Sequence, residues 1–358
     1  MNRVYNFSAG PSVLPEEVLK KAQDQLISYK DSGMSVMEMS HRSKVFQGII
    51  DSTEQMVREV LGISEDYHVL FLQGGASMQF AMVPMNLLTG TKKVDLIDTG
   101  AWSKKAATEA ARFGEVNIAA TSKDKNYTYI PDTYTLQDDA EYVHITTNNT
   151  IYGTRYTELP DTGGIPLVAD MSSNIASEPM DFSKVAIAYA GAQKNLGPAG
   201  VTLVIVRKDL VGKAADTVPT MLNYKTHADK GSMFNTPPTF AIYMLGLVME
   251  WVKEQGGVKV IGEKNRKKAD LLYKYIDESK LYTGTVVKKD RSIMNVPFIL
   301  ENDDLTQAFL DQAGKNGLVN LKGHRSVGGC RASIYNAMPE EGVNALINFM
   351  REFEKANY

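Results

Sequence analysis

The chain has 358 residues and a net charge of −3; 43% of its residues are hydrophobic and 23% are charged. This composition is typical of a globular protein and argues against a nucleic-acid-binding surface, while the length favours two domains over one hydrophobic core. The one cysteine, Cys330, excludes an intramolecular disulfide and a cysteine-rich zinc site. We therefore expect a reducing, cytoplasmic location and no metal.

An uncharged stretch at residues 69–91 is long enough to cross a bilayer, for which about 20 residues suffice. Glycine, proline, glutamine and asparagine interrupt it, so we interpret it as a strand at residues 69–72, a glycine turn and a helix over about residues 77–88. Such a turn directs free backbone N–H groups and the helix dipole to one point, which suits a phosphate. Glycine turns of this kind also often serve only close packing.

The middle of the chain alternates predicted strands and helices. Strands are expected at residues 94–98, 116–119, 140–145, 165–170, 185–190 and 201–206, with a helix at residues 103–113. Continuous apolar strands alternating with helices predict an α/β fold whose mainly parallel sheet is covered on both faces. Ligands bind such sheets beyond the carboxyl ends of the strands. The loops at those ends carry five candidate groups: residues 74–77, residues 100–102, residues 148–150, Asp170 and Lys194.

The pattern changes after about residue 241. A long apolar helix at residues 239–254 is followed by Gly256 and Gly257, which we interpret as a hinge into a smaller α+β domain. That domain is predicted to contain helices at residues 258–279, 303–316 and 340–354 and strands at residues 284–288, 293–300 and 331–334. We therefore expect a large domain over residues 16–255 and a small C-terminal domain over residues 256–358, joined by the N-terminal segment 1–15.

Asp170 and Lys194 each follow or end an apolar run in a way that positions chemistry. A lysine just past one strand and a carboxylate at the end of its neighbour are what a pyridoxal phosphate site requires. The amine holds the cofactor as a Schiff base, and the carboxylate keeps the pyridine nitrogen protonated. Taken alone, the pair is equally consistent with a solvated lysine and an ordinary strand-end aspartate.

Histidine and arginine occur together in two identical tripeptides, residues 41–43 and residues 324–326, and Arg331 follows the second. Guanidinium groups bind carboxylate and phosphate in a bidentate manner, and a neighbouring histidine adds a donor that can carry charge. Each pair alone is more often a surface or structural pair. Together with the lysine motif, the set favours a substrate with two anionic ends.

Six motifs together resemble the phosphoserine aminotransferases, a family within the class-V aminotransferases and the fold-type I pyridoxal phosphate enzymes. They are residues 6–11 (NFSAGP), 40–43 (SHRS), 73–80 (QGGASMQF), 168–173 (VADMSS), 192–200 (AQKNLGPAG) and 323–333 (GHRSVGGCRAS). The motifs extend over nearly the whole chain. The resemblance implies a large domain with a seven-stranded, mostly parallel sheet, a small C-terminal domain and a homodimer.

The resemblance also implies residue roles around one pyridoxal phosphate per subunit. Lys194 would form the Schiff base and move the proton between the substrate Cα and the cofactor. Asp170 would pair with the pyridine nitrogen, Trp102 would stack on the ring, and Thr150 would bind its phenolic oxygen. The contacts to the cofactor phosphate would come from Ala76, Ser77 and Gln193 in one subunit and from Asn235 and Thr236 in the other.

For the substrate, the resemblance implies that Arg331 binds the α-carboxylate. The distal phosphate or carboxylate would be bound by His41, Arg42, His324 and Arg325, with the partner subunit as a candidate source of the first two. The implied activity is the reversible transfer of an amino group between L-glutamate and 3-phosphohydroxypyruvate, giving O-phospho-L-serine and 2-oxoglutarate for serine biosynthesis. A related reaction of 4-phosphohydroxythreonine in pyridoxine biosynthesis stays open. No membrane or nucleic-acid partner is expected.

Several alternatives stay open at this point. A cysteine desulfurase of the same fold would need a mobile cysteine, but Cys330 is predicted to be packed at the start of a strand. A different small-substrate aminotransferase is a second alternative. A nucleotide-binding or scaffold protein is disfavoured because the chain lacks a Gly-x-Gly-x-x-Gly motif after its first strand and lacks a Walker lysine. Residues 76–78 depart from some members of the family, which predicts an altered cofactor affinity rather than an altered reaction.

Overall fold

The computed structural model describes residues 3–357. Met1, Asn2 and Tyr358, at the ends of the predicted domain ranges, lie outside these described residues. The helices are α1 (Glu16–Asp24), α2 (Lys44–Leu61), α3 (Gly75–Leu87), α4 (Ala101–Ala110), α5 (Tyr224–Ala228), α6 (Thr239–Glu254), α7 (Gly257–Glu278), α8 (Asp303–Lys315) and α9 (Glu340–Asn357). The strands are β1 (Tyr5–Asn6), β2 (Tyr67–Leu72), β3 (Lys93–Asp98), β4 (Glu115–Thr121), β5 (Tyr142–Thr146), β6 (Leu167–Asp170), β7 (Ile187–Gly191), β8 (Thr202–Arg207), β9 (Thr283–Gly284), β10 (Asn295–Ile299), β11 (Leu318–Val319) and β12 (Cys330–Ser333).

A seven-stranded sheet forms the centre of the large domain, in the order β2-β8-β7-β6-β5-β3-β4. Strand β8 runs antiparallel to both of its neighbours, and every other neighbouring pair in this sheet is parallel. The expectation of an α/β fold with a mainly parallel seven-stranded sheet is therefore confirmed. Within residues 3–357, every helix is too short or too polar to span a bilayer.

Both faces of this sheet are covered, because side chains alternate in direction along each strand. In β8, Leu203 and Ile205 belong to a core cluster with residues of α2 and α6, whereas Val204 and Val206 belong to a cluster with residues of α3 and α4. All four side chains are buried. A strand that is buried on both faces has a continuous run of apolar residues. This explains why the sequence pattern predicted a sheet covered on both faces.

The register of the strands brings the candidate loops to one edge of the sheet. Leu72 at the end of β2 and Gly191 at the end of β7 both lie opposite Thr202, the first residue of β8. Asp170 at the end of β6 pairs with Thr146 at the end of β5. The loops after β2, β3, β5, β6 and β7 therefore emerge together, as expected of the carboxyl ends of parallel strands.

A second, smaller unit is built around the antiparallel sheet β12-β10-β9, which shares a separate hydrophobic cluster with α7, α8 and α9. Strand β1 pairs in parallel with β11, with Tyr5 opposite Leu318, and this pairing attaches the N-terminal segment to the unit. Between α6 and α7, Gly256 and Gly257 have φ angles of +100° and +76°, which glycine adopts without the cost of a Cβ. The small C-terminal domain is confirmed, and the residue boundaries of the two domains stay a prediction.

Three helices, α1, α2 and the short α5, were not predicted. Helix α2 nevertheless carries sequence signals at both ends. Ser43 Oγ accepts a hydrogen bond from the backbone N–H of Phe46 at 3.1 Å, and Gly62 ends the helix at a φ of +69°.

The predicted strand at residues 284–288 is largely wrong. Strand β9 ends at Gly284, and residues 288–290 form a turn of 3₁₀ helix. The backbone N–H of Val287 donates to the carbonyl of Thr128 in the large domain at 3.0 Å, so this segment connects the two domains instead of extending the sheet.

Candidate active site

Lys194 lies in the turn after β7 and faces the ends of the neighbouring strands. Its Nζ donates a hydrogen bond to Oγ1 of Thr150 at 2.7 Å, and it lies 5.9 Å from the centroid of the Trp102 ring. The buried carboxylate of Asp170 is close enough to stabilise the protonated amine. The structure therefore brings together four of the residues that the sequence assigned to one site.

The surroundings of Lys194 change its acidity. The side chain is partly exposed, but the protein desolvates the amine and lowers the pKa of Lys194 to about 8. The charge of Asp170 opposes this change, while the charge of Arg331 adds to it. A lysine with this pKa is about half neutral at pH 8, and the neutral amine is the form that a nucleophile or base requires.

Asp170 is buried at the carboxyl end of β6. Burial raises the pKa of Asp170, against the opposing effects of hydrogen bonds from Ser172 and of the nearby charge of Lys194. Its Oδ1 accepts a hydrogen bond from the backbone N–H of Ser172 at 3.0 Å. The hydrogen bonds and the charge of Lys194 do not offset the cost of burying this carboxylate. A further cation at this position is therefore expected to stabilise it.

The N-terminal segment closes over the turn that carries Lys194. Ser12 Oγ donates to the carbonyl of Lys194 at 2.5 Å, and the hydroxyl of Tyr335 donates to the carbonyl of Ala9 at 2.7 Å. Gly10 has a φ of +144°, and a Cβ there would lie 3.4 Å from Cγ of Lys194. A glycine is therefore favoured at position 10 by its positive φ, where the segment lies against the Lys194 side chain.

Trp102 is the second residue of α4, whose first turn is fixed by Ser103. The Ser103 Oγ accepts a hydrogen bond from the backbone N–H of Gly100 at 3.0 Å, so the helix begins two residues before its predicted start. The indole Nε1 of Trp102 is buried and has no hydrogen-bond partner within residues 3–357. Lys105, one turn later, places its Nζ 4.3 Å from the centroid of the same ring.

Arg331 enters the site from β12 of the small domain. Its Nη1 donates to the carbonyl of Thr150 at 3.1 Å, while its buried Nε has no hydrogen-bond partner in the part of the chain that the structure describes. Desolvation lowers the pKa of Arg331, and no carboxylate among residues 3–357 forms an ion pair with it. An unpaired, largely buried guanidinium of this kind is suited to an anionic ligand.

His324 and Arg325 lie in the loop before β12. His324 Nδ1 lies 2.7 Å from Oγ of Ser326. Burial, together with the charges of Arg331, Arg325 and Lys105, lowers the pKa of His324. The side chain of Arg325 is exposed and, within the described chain, is in no ion pair. This side of the site is therefore rich in cations that carboxylates do not neutralise.

The start of α3 provides the predicted phosphate-binding turn. Gly74 and Gly75 have φ angles of +86° and +62°, and no side chain within residues 3–357 caps the first turn of the helix. The backbone N–H groups of that turn are therefore available to a ligand, at the positive end of the helix dipole. Ala76 is partly buried and Ser77 is exposed, as expected at the mouth of a site. Gln193 precedes Lys194 in the turn after β7 and is also partly exposed.

The structure does not join the remaining predicted site residues to this cluster. Asn235 and Thr236 are exposed in the loop before α6, and Arg42 is exposed before α2. The Nε2 of His41 is buried without a hydrogen-bond partner in residues 3–357. Among these described residues, no hydrogen bond or ion pair links any of the four to Lys194 or Arg331. Their assignment to the site stays a prediction.

Three contacts of the site were missed in the sequence. Ser172 supports Asp170, Ser12 binds the backbone of Lys194, and Lys105 lies over Trp102. Two of these contacts had a local signal: Lys105 follows Trp102 by three residues on a helix, where such residues are neighbours, and an aspartate commonly accepts from the backbone N–H two residues later. The contact of Ser12 with Lys194 depends on the tertiary arrangement.

Comparison with known proteins identifies the family to which this chain belongs. Residues 4–346 match the model of the class-V aminotransferases. The chain belongs to the class-V aminotransferases. The resemblance drawn from the six sequence motifs is therefore confirmed.

The relatives of this class-V aminotransferase match it along its whole length. It is 56% identical over 359 aligned residues to a phosphoserine aminotransferase of Bacillus cereus, with 100% of each chain covered. It matches a phosphoserine aminotransferase structure from Bacillus circulans subsp. alkalophilus with a TM-score of 0.98 and 47% identity, over 99% of each chain. A pyridoxal phosphate-bound phosphoserine aminotransferase from Trichomonas vaginalis gives a TM-score of 0.94 at 38% identity, over 98% of this chain and 100% of that chain.

Proposed function

We propose that this class-V aminotransferase is a phosphoserine aminotransferase that uses pyridoxal phosphate. It exchanges an amino group between L-glutamate and 3-phosphohydroxypyruvate, giving O-phospho-L-serine and 2-oxoglutarate, as a step of serine biosynthesis. The observation that carries this proposal is the pair of guanidinium groups, Arg325 and Arg331, that no carboxylate within residues 3–357 neutralises, together with the nearby imidazole of His324. Relatives of this name at 56% identity over the full length support the same assignment.

The residues present fit the cofactor. The buried carboxylate of Asp170 has a raised pKa and needs a cation, which a protonated pyridine nitrogen supplies. Trp102 offers a flat ring with an unused buried N–H, and the start of α3 offers free backbone N–H groups for a phosphate. Lys194 would hold the cofactor through its amine, with Thr150 beside it. When bound, pyridoxal phosphate acts as an electron sink that stabilises negative charge at the substrate Cα.

Lys194 is the group that moves the proton. With a pKa of about 8, its amine can take the proton from the substrate Cα and hold it for delivery. The hydroxyl of Thr150 fixes the position of the amine, and Arg331, which also binds the Thr150 carbonyl, orients the substrate through its α-carboxylate. These three side chains therefore place the reacting carbon and its base in one geometry.

The distal anion of the substrate is assigned to the cations at the edge of the site. His324 and Arg325 would bind the phosphate of phosphoserine or the side-chain carboxylate of glutamate, because both donate hydrogen bonds and can carry positive charge. We assign His41 and Arg42 to the same anion.

A homodimer would complete the site. Asn235 and Thr236 are exposed in this chain, and the neighbouring Phe234 has 43% of its surface exposed. A second copy of the chain could cover this loop and receive Asn235 and Thr236 at its own cofactor phosphate. Two-fold symmetry would then give two identical sites in one interface. The large domain (16–255), the small domain (256–358 with 1–15) and the cytoplasmic location are parts of the same proposal.

A single half-reaction tests the proposal. The purified holoprotein is mixed with L-phosphoserine alone, and the absorption spectrum of the cofactor is followed. We expect the visible band of the cofactor to be replaced by a band in the near ultraviolet, because the amino group moves to the cofactor without a second substrate. L-serine is the matched control and is expected to react far more slowly, since it lacks the phosphate.

Each failure of this experiment has a distinct meaning. If the visible band is present but unchanged by L-phosphoserine, the assignment of Lys194 stands and the assignment of the substrate is wrong. If the protein stays colourless with added pyridoxal phosphate, the cofactor proposal is wrong. Equal rates with L-serine would contradict the role of the cations in binding phosphate.

A further inference from the structure

Lys105 lies on the exposed side of the site without an assigned role. Its Nζ is 4.3 Å from the centroid of the Trp102 ring, and the Nζ of Lys194 is 5.9 Å from the same centroid. One aromatic ring therefore contacts both ammonium groups. No carboxylate within the described residues forms an ion pair with Lys105, whose side chain is exposed.

The charge of Lys105 also reaches the loop before β12. His324 has its pKa lowered by burial and by the charges of Arg331, Arg325 and Lys105. Lys105 and His324 come from different domains, yet they are close enough for the charge of Lys105 to act on the imidazole of His324. The adjacent Lys104 differs, because its Nζ lies over the ring of Tyr127 at 5.6 Å.

A group of cations held together without acidic partners is unfavourable until an anion binds. The gain on binding increases with the charge of that anion, because Coulomb interactions scale with the product of the charges. A phosphate monoester carries a charge of about −1.5 to −2 at pH 7, whereas a side-chain carboxylate carries −1. An additional cation at this position therefore favours a phosphorylated substrate over a dicarboxylic one.

We propose that Lys105 is a specificity-determining residue that binds the distal phosphate of the substrate together with His324 and Arg325. This inference rests on the proposed function and adds a residue to its substrate site. The side chain of Lys105 reaches the phosphate from its position over the ring of Trp102. It acts more strongly on the half-reaction with phosphoserine than on the half-reaction with glutamate.

The test compares three variants of the holoprotein: Lys105→Met, Lys105→Arg and Lys104→Met. The kcat/KM of each half-reaction is measured with L-phosphoserine and with L-glutamate. We expect Lys105→Met to lower the ratio of the phosphoserine value to the glutamate value about tenfold, as loss of a hydrogen bond between charged groups predicts. Lys105→Arg should restore most of this ratio, and Lys104→Met should leave it within about twofold.

Two further measurements do not depend on turnover. The pKa of His324, followed by NMR, should rise in Lys105→Met because a neighbouring positive charge is lost, while burial and the charges of Arg331 and Arg325 still hold it below its ordinary value. It should stay unchanged in Lys104→Met. Inorganic phosphate, titrated against the holoprotein by calorimetry, should bind more weakly to Lys105→Met than to Lys104→Met.

The results that would overturn the inference are separable from failure of the proposed function. An equal loss with both substrates, accompanied by weaker cofactor binding, would mean that Lys105 only supports Trp102. Identical behaviour of Lys104→Met and Lys105→Met would mean that only the overall charge matters. If the unaltered protein does not react with L-phosphoserine, the proposed function fails, whatever the phosphate titration and the pKa of His324 show.

Discussion

Lys194 donates a hydrogen bond to the side chain of Thr150 at 2.7 Å, which joins the turn after β7 to the loop after β5. Thr150 is buried, and its carbonyl accepts a further hydrogen bond from Arg331 at 3.1 Å. A single threonine therefore positions the reactive amine and the arginine assigned to the substrate carboxylate. The distance between these two groups depends on the loop that carries Thr150.

The hydroxyl of Thr150 is expected to matter for turnover. Replacing Thr150 with Val removes the acceptor of the Lys194 amine while keeping a similar shape, and a hydrogen bond contributes about 0.5–1.5 kcal/mol. We predict that kcat falls about tenfold in Thr150→Val and stays within about twofold in Thr150→Ser. Steady-state kinetics with both substrates check this. Equal activity of the two variants would contradict the positioning role.

The pKa of Lys194 predicts a pH dependence for cofactor uptake. Only the neutral amine attacks the cofactor aldehyde, so the rate of uptake by the apoprotein should rise with pH through about 8 and then level off. Removing a positive neighbour with Arg331→Met should move this inflection to higher pH, and removing a negative one with Asp170→Asn should move it to lower pH. Stopped-flow absorbance measures the rates. Inflections that do not move in opposite directions would contradict this electrostatic picture.

Lys268 is expected to stabilise the small domain. Its buried Nζ donates to the carbonyls of Ile334, Tyr335 and Met338 at 3.2, 2.9 and 2.8 Å. Lys268→Met would leave three carbonyls without this donor, and we predict that the free energy of unfolding falls by about 2–4 kcal/mol. Urea denaturation followed by circular dichroism measures the change.

Lys264 provides the control for this prediction. It lies one turn earlier on α7, is exposed and donates to Gln255 at 2.7 Å. Lys264→Met should change the stability by no more than about 0.5 kcal/mol. Similar losses in Lys264→Met and Lys268→Met would show that the buried hydrogen bonds are not the cause.

Cys330 is expected to be dispensable for catalysis. It is buried in β12, and burial raises the pKa of its thiol to about 12, so the nucleophilic thiolate is scarce at neutral pH. We predict that Cys330→Ala retains kcat for phosphoserine within about twofold. Production of sulfide from L-cysteine by the unaltered protein, lost in the variant, would instead revive the cysteine desulfurase alternative.

The sequence predicted the central elements well where one strong local signal decided them. Helix α6 has the predicted bounds, because its apolar residues form one uninterrupted run before the two glycines. Strand β6 ends at Asp170 as predicted, since the polar residues after it stop the buried run. The predicted strand was longer than β9 because the apolar pair at residues 286–287 resembles a strand, although the side chain of Val287 is exposed and its backbone N–H donates to Thr128 in the large domain.

By itself, the sequence determined the layered sheet, the order of the elements, and the identity of the lysine and aspartate at the edge of the sheet. These depend on burial patterns along a few consecutive residues. Only the tertiary structure decided that Arg331 meets Thr150 and that Lys105 shares its surroundings with His324. These contacts join residues far apart in the chain, and their distances follow from how the two domains pack, which no local pattern encodes.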